Sequence, residues 1–153
     1  MVIRKAEDRD IAGMTSVFAL AVENTSDLYS VTQRAAWVSQ ALRPAFWEEL
    51  LRTQYVLVCF EMNTLCGLIS FNSRGEISML YILPQYQRKG IASRLINIIS
   101  DHAHEEGYAH VRVDASLYLR PLLIKLGFEL VEEYQKTIKN VEFSNAILVK
   151  ELI

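Results

Sequence analysis

The sequence predicts a single α/β (α+β) domain built on a mixed, mostly antiparallel sheet, and three observations predict it. After Gln54 the hydrophobic period changes from helical to strand-like, giving runs over residues 55–60, 65–71 and 76–83 joined by short turn-forming links. The third run passes through a basic turn into a long amphipathic helical stretch that opens at Gly90. Another strand-like run, residues 109–114, follows that helix, and strand–helix–strand predicts a right-handed parallel crossover. A meander with one parallel addition is a mixed sheet. At 153 residues and 51% apolar content the chain buries one sizeable core, so residues 1–153 are expected to form one domain.

Taken in order, residues 2–5 alternate and read as a first strand. Asp8 or Asp10 can cap a helix over residues 11–23, where Ile11, Met14, Val17, Phe18 and Ala21 share one face. Residues 24–29 form a polar break. From about residue 32 to residue 53 the pattern is helical again, interrupted at Pro44; two helices or one kinked helix both fit. The links at residues 61–64 and 72–75 make the next three strands an antiparallel meander. Strand 76–83 is apolar, carries aromatic and β-branched members and ends at Pro84, so burial on both faces is expected. The helix from Gly90 to about Glu106 ends at Gly107, a good C′ residue. Residues 117–125 read as a short helix closed by Gly127, and residues 128–136 and 146–152 as two final strands around a polar turn. The element order is β-α-α-β-β-β-α-β-α-β-β.

The turn Gln87-Arg88-Lys89-Gly90-Ile91-Ala92 lies on a helix N-terminus, where several N–H groups have no partner within the helix. Those amides and the positive end of the helix dipole, about half an elementary charge, make an anion site suited to phosphate. Gly90 lets a ligand oxygen approach without meeting a Cβ.

The pattern Q-x-x-G-x-A between a strand and a helix resembles the acyl-CoA signature of the GNAT superfamily of N-acetyltransferases. The later segment SLYLRPLLIKLGFELVEEY is similar to the family's N-x-x-A-x-x-F-Y-x-K-x-G-F element, and the element order is the one that fold prescribes. The resemblance implies acetyl-CoA as co-substrate and a parallel strand pair splayed apart at the acyl-CoA cleft. It places the pyrophosphate on the amides of Arg88 to Ser93, including Lys89, Gly90, Ile91 and Ala92 behind Gln87, with Arg88, Lys89 or Arg94 adding positive charge. It lays the pantetheine arm along Leu80, Tyr81 and Ile82, with the Leu80 N–H as oxyanion donor and a V-shaped gap after Tyr81. The family's pantetheine-contacting asparagine falls on Ser116, which keeps a hydroxyl.

Acyl transfer to an amine also needs a route for a proton. A lysine-like amine of pKa near 10.4 is neutral in only about one molecule in 2,500 at pH 7. Glu76 lies fourteen positions before Gly90, the offset of the catalytic glutamate in histone-type members, and is the candidate base; it can equally be the polar first residue of a strand. The family's general-acid tyrosine falls on Leu123, which cannot donate a proton. Tyr118, five residues earlier on the expected short helix, or water can substitute. The implied activity is N-acetyl transfer to the primary amine of a small molecule or peptide, by direct attack in a ternary complex. The alternative is an acyl-CoA-binding module without turnover, acting as sensor or partner subunit.

Other features exclude more than they assign. A formal charge of −2 argues against non-specific binding to nucleic acid or anionic membrane. The first residues lack an apolar signal core and no apolar run approaches about 18 residues, so a cytoplasmic monomer or homodimer is expected. Cys59 and Cys66 are expected as reduced thiols facing each other across a hairpin that turns at Met62-Asn63. His102 and His104 point to different helix faces and His110 sits at a strand end, so no metal site is expected. Tyr29, Trp37, Phe46 and Trp47 are core aromatics or acceptor-pocket walls; Glu23 and Asp27 are loop carboxylates or attractors of a cationic amine.

Overall fold

A computed structural model describes residues 1–153. Seven strands form one sheet in the order β1-β2-β3-β4-β5-β7-β6. They are β1 (Val2–Lys5), β2 (Tyr55–Glu61), β3 (Thr64–Phe71), β4 (Glu76–Ile82), β5 (His110–Ala115), β6 (Glu129–Ile138) and β7 (Val141–Glu151). Only β4 and β5 are parallel neighbours; every other pair is antiparallel. The expected single α+β domain and its mixed sheet are therefore present, as is the order of elements.

Two tight hairpins set the register at either end of the sheet. Met62 (φ 46°) and Asn63 (φ 70°) join β2 to β3, and Lys139 (φ 47°) and Asn140 (φ 66°) join β6 to β7. Two consecutive positive φ values give the turn whose twist matches that of the paired strands. The second hairpin pairs Ile138 with Val141, so both strands run farther into the polar segment than their apolar pattern predicts. Hydrogen bonding across the ladder, with one edge in water, sustains polar residues there.

Helices cover both faces. They are α1 (Ile11–Glu23), α2 (Val31–Val38), α3 (Pro44–Thr53), α4 (Ile91–Glu105) and α5 (Arg120–Lys125). Ser30 caps α2: its Oγ accepts the Gln33 N–H at 3.0 Å while the Gln33 side chain accepts the Ser30 N–H at 2.9 Å. Pro44 starts α3 rather than kinking a longer helix, with Arg43 extended before it as the proline ring requires. Asp10 precedes α1 but does not cap it; its carboxylate takes Arg4 and the Glu7 N–H instead. On one face Phe18 of α1 meets Tyr81 of β4 edge-on, centroids 4.8 Å apart. On the other, Ile91 of α4 and Ile82 of β4 close over Gly67, where a Cβ would strike Ile82. Trp47 is wholly buried and satisfies its indole N–H on the Ala41 carbonyl at 2.9 Å.

Three details differ from the sequence-based expectation, and all concern the cleft. Between Ser70↔Met79 and Phe71↔Ile77 the register shifts, so Ser78 is a bulge residue; it is exposed, and β4 is not buried on both faces there. The ladder between β4 and β5 holds only Glu76↔Arg112 and Ile77↔Val113. The gap thus opens after Ile77, not after Tyr81, because the bulge bends β4 away and ties the Ser78 hydroxyl to Ser70 (2.7 Å) and Gln54 (2.6 Å). Finally, α5 begins at Arg120, leaving Tyr118 on the preceding turn: Pro121 fits only a helix's first turn, and the Leu119 N–H bonds Ser116 Oγ at 3.3 Å.

Candidate active site

The basic turn arrives at α4 in the conformation that leaves its amides free. Gly90 is the N-cap with φ 82°, and an added Cβ there would meet nothing within 4 Å. The first bond of the helix runs from the Arg94 N–H to the Gly90 carbonyl at 3.0 Å, and no acceptor of the chain meets the N–H groups of residues 88–93. Lys89 and Arg94 border the same open recess, of about 460 Å³, with Gly90 and Ile91. Lys89 is steadied by the Tyr86 ring, 5.5 Å from its ammonium. Unpartnered donors beside two cations are the groups an anion needs at a helix start; Glu61, paired with the Met1 ammonium, lines the far side of the recess.

A cleft follows β4. The Leu83 N–H bonds the Cys66 carbonyl of β3 at 2.8 Å, whereas the Ile82 carbonyl faces away and accepts Gln87 Nε2 at 3.0 Å. Strand alternation then turns the backbone groups of Leu80 and Ile82 into the gap and those of Tyr81 toward β3. Gln87 also accepts the Tyr118 hydroxyl at 3.2 Å, so its side chain braces the end of β4 against the β5–α5 turn. The gap continues into a cavity of about 400 Å³ reaching between the sheet and the first helices.

Aromatic rings wall that inner part. Trp37 donates its indole N–H to the Tyr81 hydroxyl at 3.1 Å, and packs against Tyr29 and Phe143. Burial pushes the Tyr81 phenol up to about 12 and raises that of Tyr29 as well, so both stay neutral hydrogen-bonding groups. Asp114 on β5 is the one carboxylate lining the cavity.

The matched family model is an acetyltransferase (GNAT) domain, spanning residues 22–144. The chain belongs to the GNAT acetyltransferase family. YafP of Escherichia coli K12, described as an uncharacterized N-acetyltransferase, is 29% identical over 144 residues, 94% of this chain and 91% of its own. A GCN5-related N-acetyltransferase (aminotransferase, class-II) from Rhodopseudomonas palustris superimposes with a TM-score of 0.95 at 26% identity, covering 99% of this chain and 95% of that one. PaiA N-acetyltransferase of Thermoplasma acidophilum, solved in complex with coenzyme A, shares the fold: TM-score 0.83, 20% identity, 98% of each chain. The acyltransferase class expected from the motifs follows from this GNAT membership.

Within the GNAT frame the expected site residues fall into two groups. Leu80, Tyr81, Gln87, Ser116 and Tyr118 all line the cavity, residues 88–93 carry the unpartnered amides that follow Gln87, and the Ile82 side chain is buried on the opposite face against Gly67. Ser116 accepts the Leu119 N–H on its Oγ and lies beside the Tyr29 hydroxyl. Glu76 stands apart: it does not line the cavity, and its carboxylate is held by Asn72 at 3.1 Å, Arg74 at 3.2 Å and Arg112 at 3.4 Å. Leu123, at the family's tyrosine position, is a fully buried core residue. Tyr29, Trp37 and Phe46 line the cavity, but Trp47 belongs to the core. His102 stacks on Tyr55, and no His, Cys, Asp or Glu side chains gather as a metal site. No helix is long and apolar enough to cross a membrane. Asp114 escaped the sequence reading because it looked like the last residue of an ordinary strand; its only signal was its polar place beside buried Val113.

Proposed function

We propose that this chain is an acetyl-CoA-dependent N-acetyltransferase that moves an acetyl group to a primary amine by direct attack in a ternary complex. One observation carries the reading: β4 and β5 part after Ile77, and Gln87, which lines the cavity beside that gap, stands directly before the unpartnered amides at the start of α4. Coenzyme A bound to the PaiA fold relative supports it. The chain's groups fit such a guest. The amides of Arg88 to Ser93, with Lys89 and Arg94, take the pyrophosphate charge. The backbone of Leu80 and Ile82 pairs with the pantetheine arm beside Tyr81, and Ser116 contacts it. The Leu80 N–H is aimed where negative charge develops on the thioester oxygen; a donor so placed is worth about 10²–10³ in rate.

Attack forms a C–N bond as the C–S bond breaks, so nitrogen loses a proton and the leaving thiolate gains one. The arginine-held Glu76 can receive the first only through water. Tyr118, fixed by Gln87 at the cavity wall and 36% exposed, can supply the second. A cytoplasmic monomer or homodimer without nucleic-acid partners belongs to the same proposal. The second reading, an acyl-CoA-binding module without turnover, is favoured by burial of Leu123 where an acid is expected. Titration calorimetry with coenzyme A, coupled to thiol release on an amine panel, separates them: binding with release supports the enzyme, and binding with silence on every amine supports the module.

A further inference from the structure

The carboxylate that lines the cavity beside the splayed gap is on β5, not β4. Asp114 follows Val113, the last β5 residue paired with β4, and so stands at the apex of the opening. Leu80 lies three residues beyond the paired Ile77, about 10 Å along the opposite strand at ~3.3 Å per residue. Alternation buries Val111, Val113 and Ala115 on one face of β5 and turns Asp114 to the other, beside the aromatic cavity. Three side chains from β6 and β7 hold it: the Tyr134 hydroxyl donates to Oδ2, Asn145 Nδ2 donates to Oδ1 at 3.0 Å, and Lys136 Nζ lies 3.4 Å from Oδ2. A carboxylate has about four acceptor sites. Three donors leave one, and the carboxylate lines the cavity, so a guest there can reach it.

We propose that Asp114 is the acceptor-recognition residue, accepting a hydrogen bond from a cationic primary amine whose apolar body lies against Trp37, Phe46 and Phe143. Lys136 occupies this carboxylate until the amine arrives. It also lines the cavity, and its terminal group is itself a primary ammonium, the chemistry the acceptor presents. Anchoring by N–H leaves the nitrogen lone pair of the deprotonated amine free to turn toward the thioester. The assignment rests on the transferase reading above.

The test is steady-state kinetics with acetyl-CoA, using 2-phenylethylamine, butylamine and phenylalanine as acceptors, on wild type, Asp114→Asn and Lys136→Met. Phenylethylamine is expected to outperform phenylalanine, whose carboxylate would meet Asp114. Asp114→Asn should lower kcat/KM for the amine about 10–100-fold, mainly through KM, the range for losing a hydrogen bond to a charged group. Its acetyl-CoA affinity should match wild type. Lys136→Met, which frees the anchor, should lower KM several-fold. The assignment is overturned if acetyl-CoA binds but no panel amine is turned over. It is equally overturned if phenylalanine is preferred, if Asp114→Asn keeps the wild-type KM, or if Lys136→Met raises it. Failure of the wild type to bind acetyl-CoA at all overturns the transferase reading instead, and the assignment with it.

Discussion

Tyr29 accepts the Leu117 N–H at 2.8 Å, joining the loop after α1 to the turn after β5 across 88 positions of sequence. The same ring packs against Trp37 and Phe143, so one side chain closes the aromatic end of the cavity and fixes the turn that carries Ser116 and Tyr118. Tyr29→Phe keeps the packing and strands the amide, at a cost of about 1 kcal/mol. The expected result is a melting temperature lower by about 2–4 °C, with coenzyme A affinity changed less than acceptor KM. An unchanged melting curve would show that Leu117 does not need this partner.

Gly90→Asp tests the anion seat. Asp enters the left-handed region more readily than most residues, so the fold should persist at φ 82°. Its carboxylate would take the free amides for itself and repel a phosphate. Calorimetry is expected to find no coenzyme A binding in the folded variant; wild-type affinity would refute the placement.

Glu76→Gln tests the proton route. The substitution keeps the shape of the side chain and removes the charge facing Arg74 and Arg112. Turnover is expected to fall mainly below about pH 8, where an amine of pKa near 10.4 is overwhelmingly protonated, with coenzyme A affinity unchanged. A wild-type pH–rate profile in the variant would move the base role away from β4.

Cys59 and Cys66 face each other with sulfurs 3.6 Å apart, both fully buried in the core and both free. Burial, with the neighbouring thiol, pushes Cys59 up to about 12 and burial raises Cys66 too. Neither should react with a thiol reagent in the native protein at pH 8, and both should react after unfolding. The folded pKa values lie above the unfolded value of about 8.5, so this contribution to stability is complete below that pH and declines as pH climbs toward 12. The urea midpoint should therefore be lower at pH 10 than at pH 8. Rapid native-state labelling would contradict the burial.

Local pattern alone was enough for much of this molecule. The 2–5 strand, the 11–23 helix, the three meander strands and the amphipathic helix behind Gly90 are each legible because a period of two or 3.6, a proline or a glycine is written in a dozen consecutive residues. The free amides at the start of α4 belong with them, since a helix start and the groups it leaves unpaired are local matters. What adjoining residues could not state was where β4 leaves β5, that Glu76 spends its charge on two arginines, that Leu123 is buried, or that Asp114 gathers donors from two strands reached only by later pairing. Those depend on register and on one bulge at Ser78, which are decided by competition among hydrogen bonds and side chains far apart in the chain. The sequence by itself determined the family of chemistry and the helix start with its free amides; only the tertiary structure decided which carboxylate lines the cavity, because convergence across strands has no signature in any one of them.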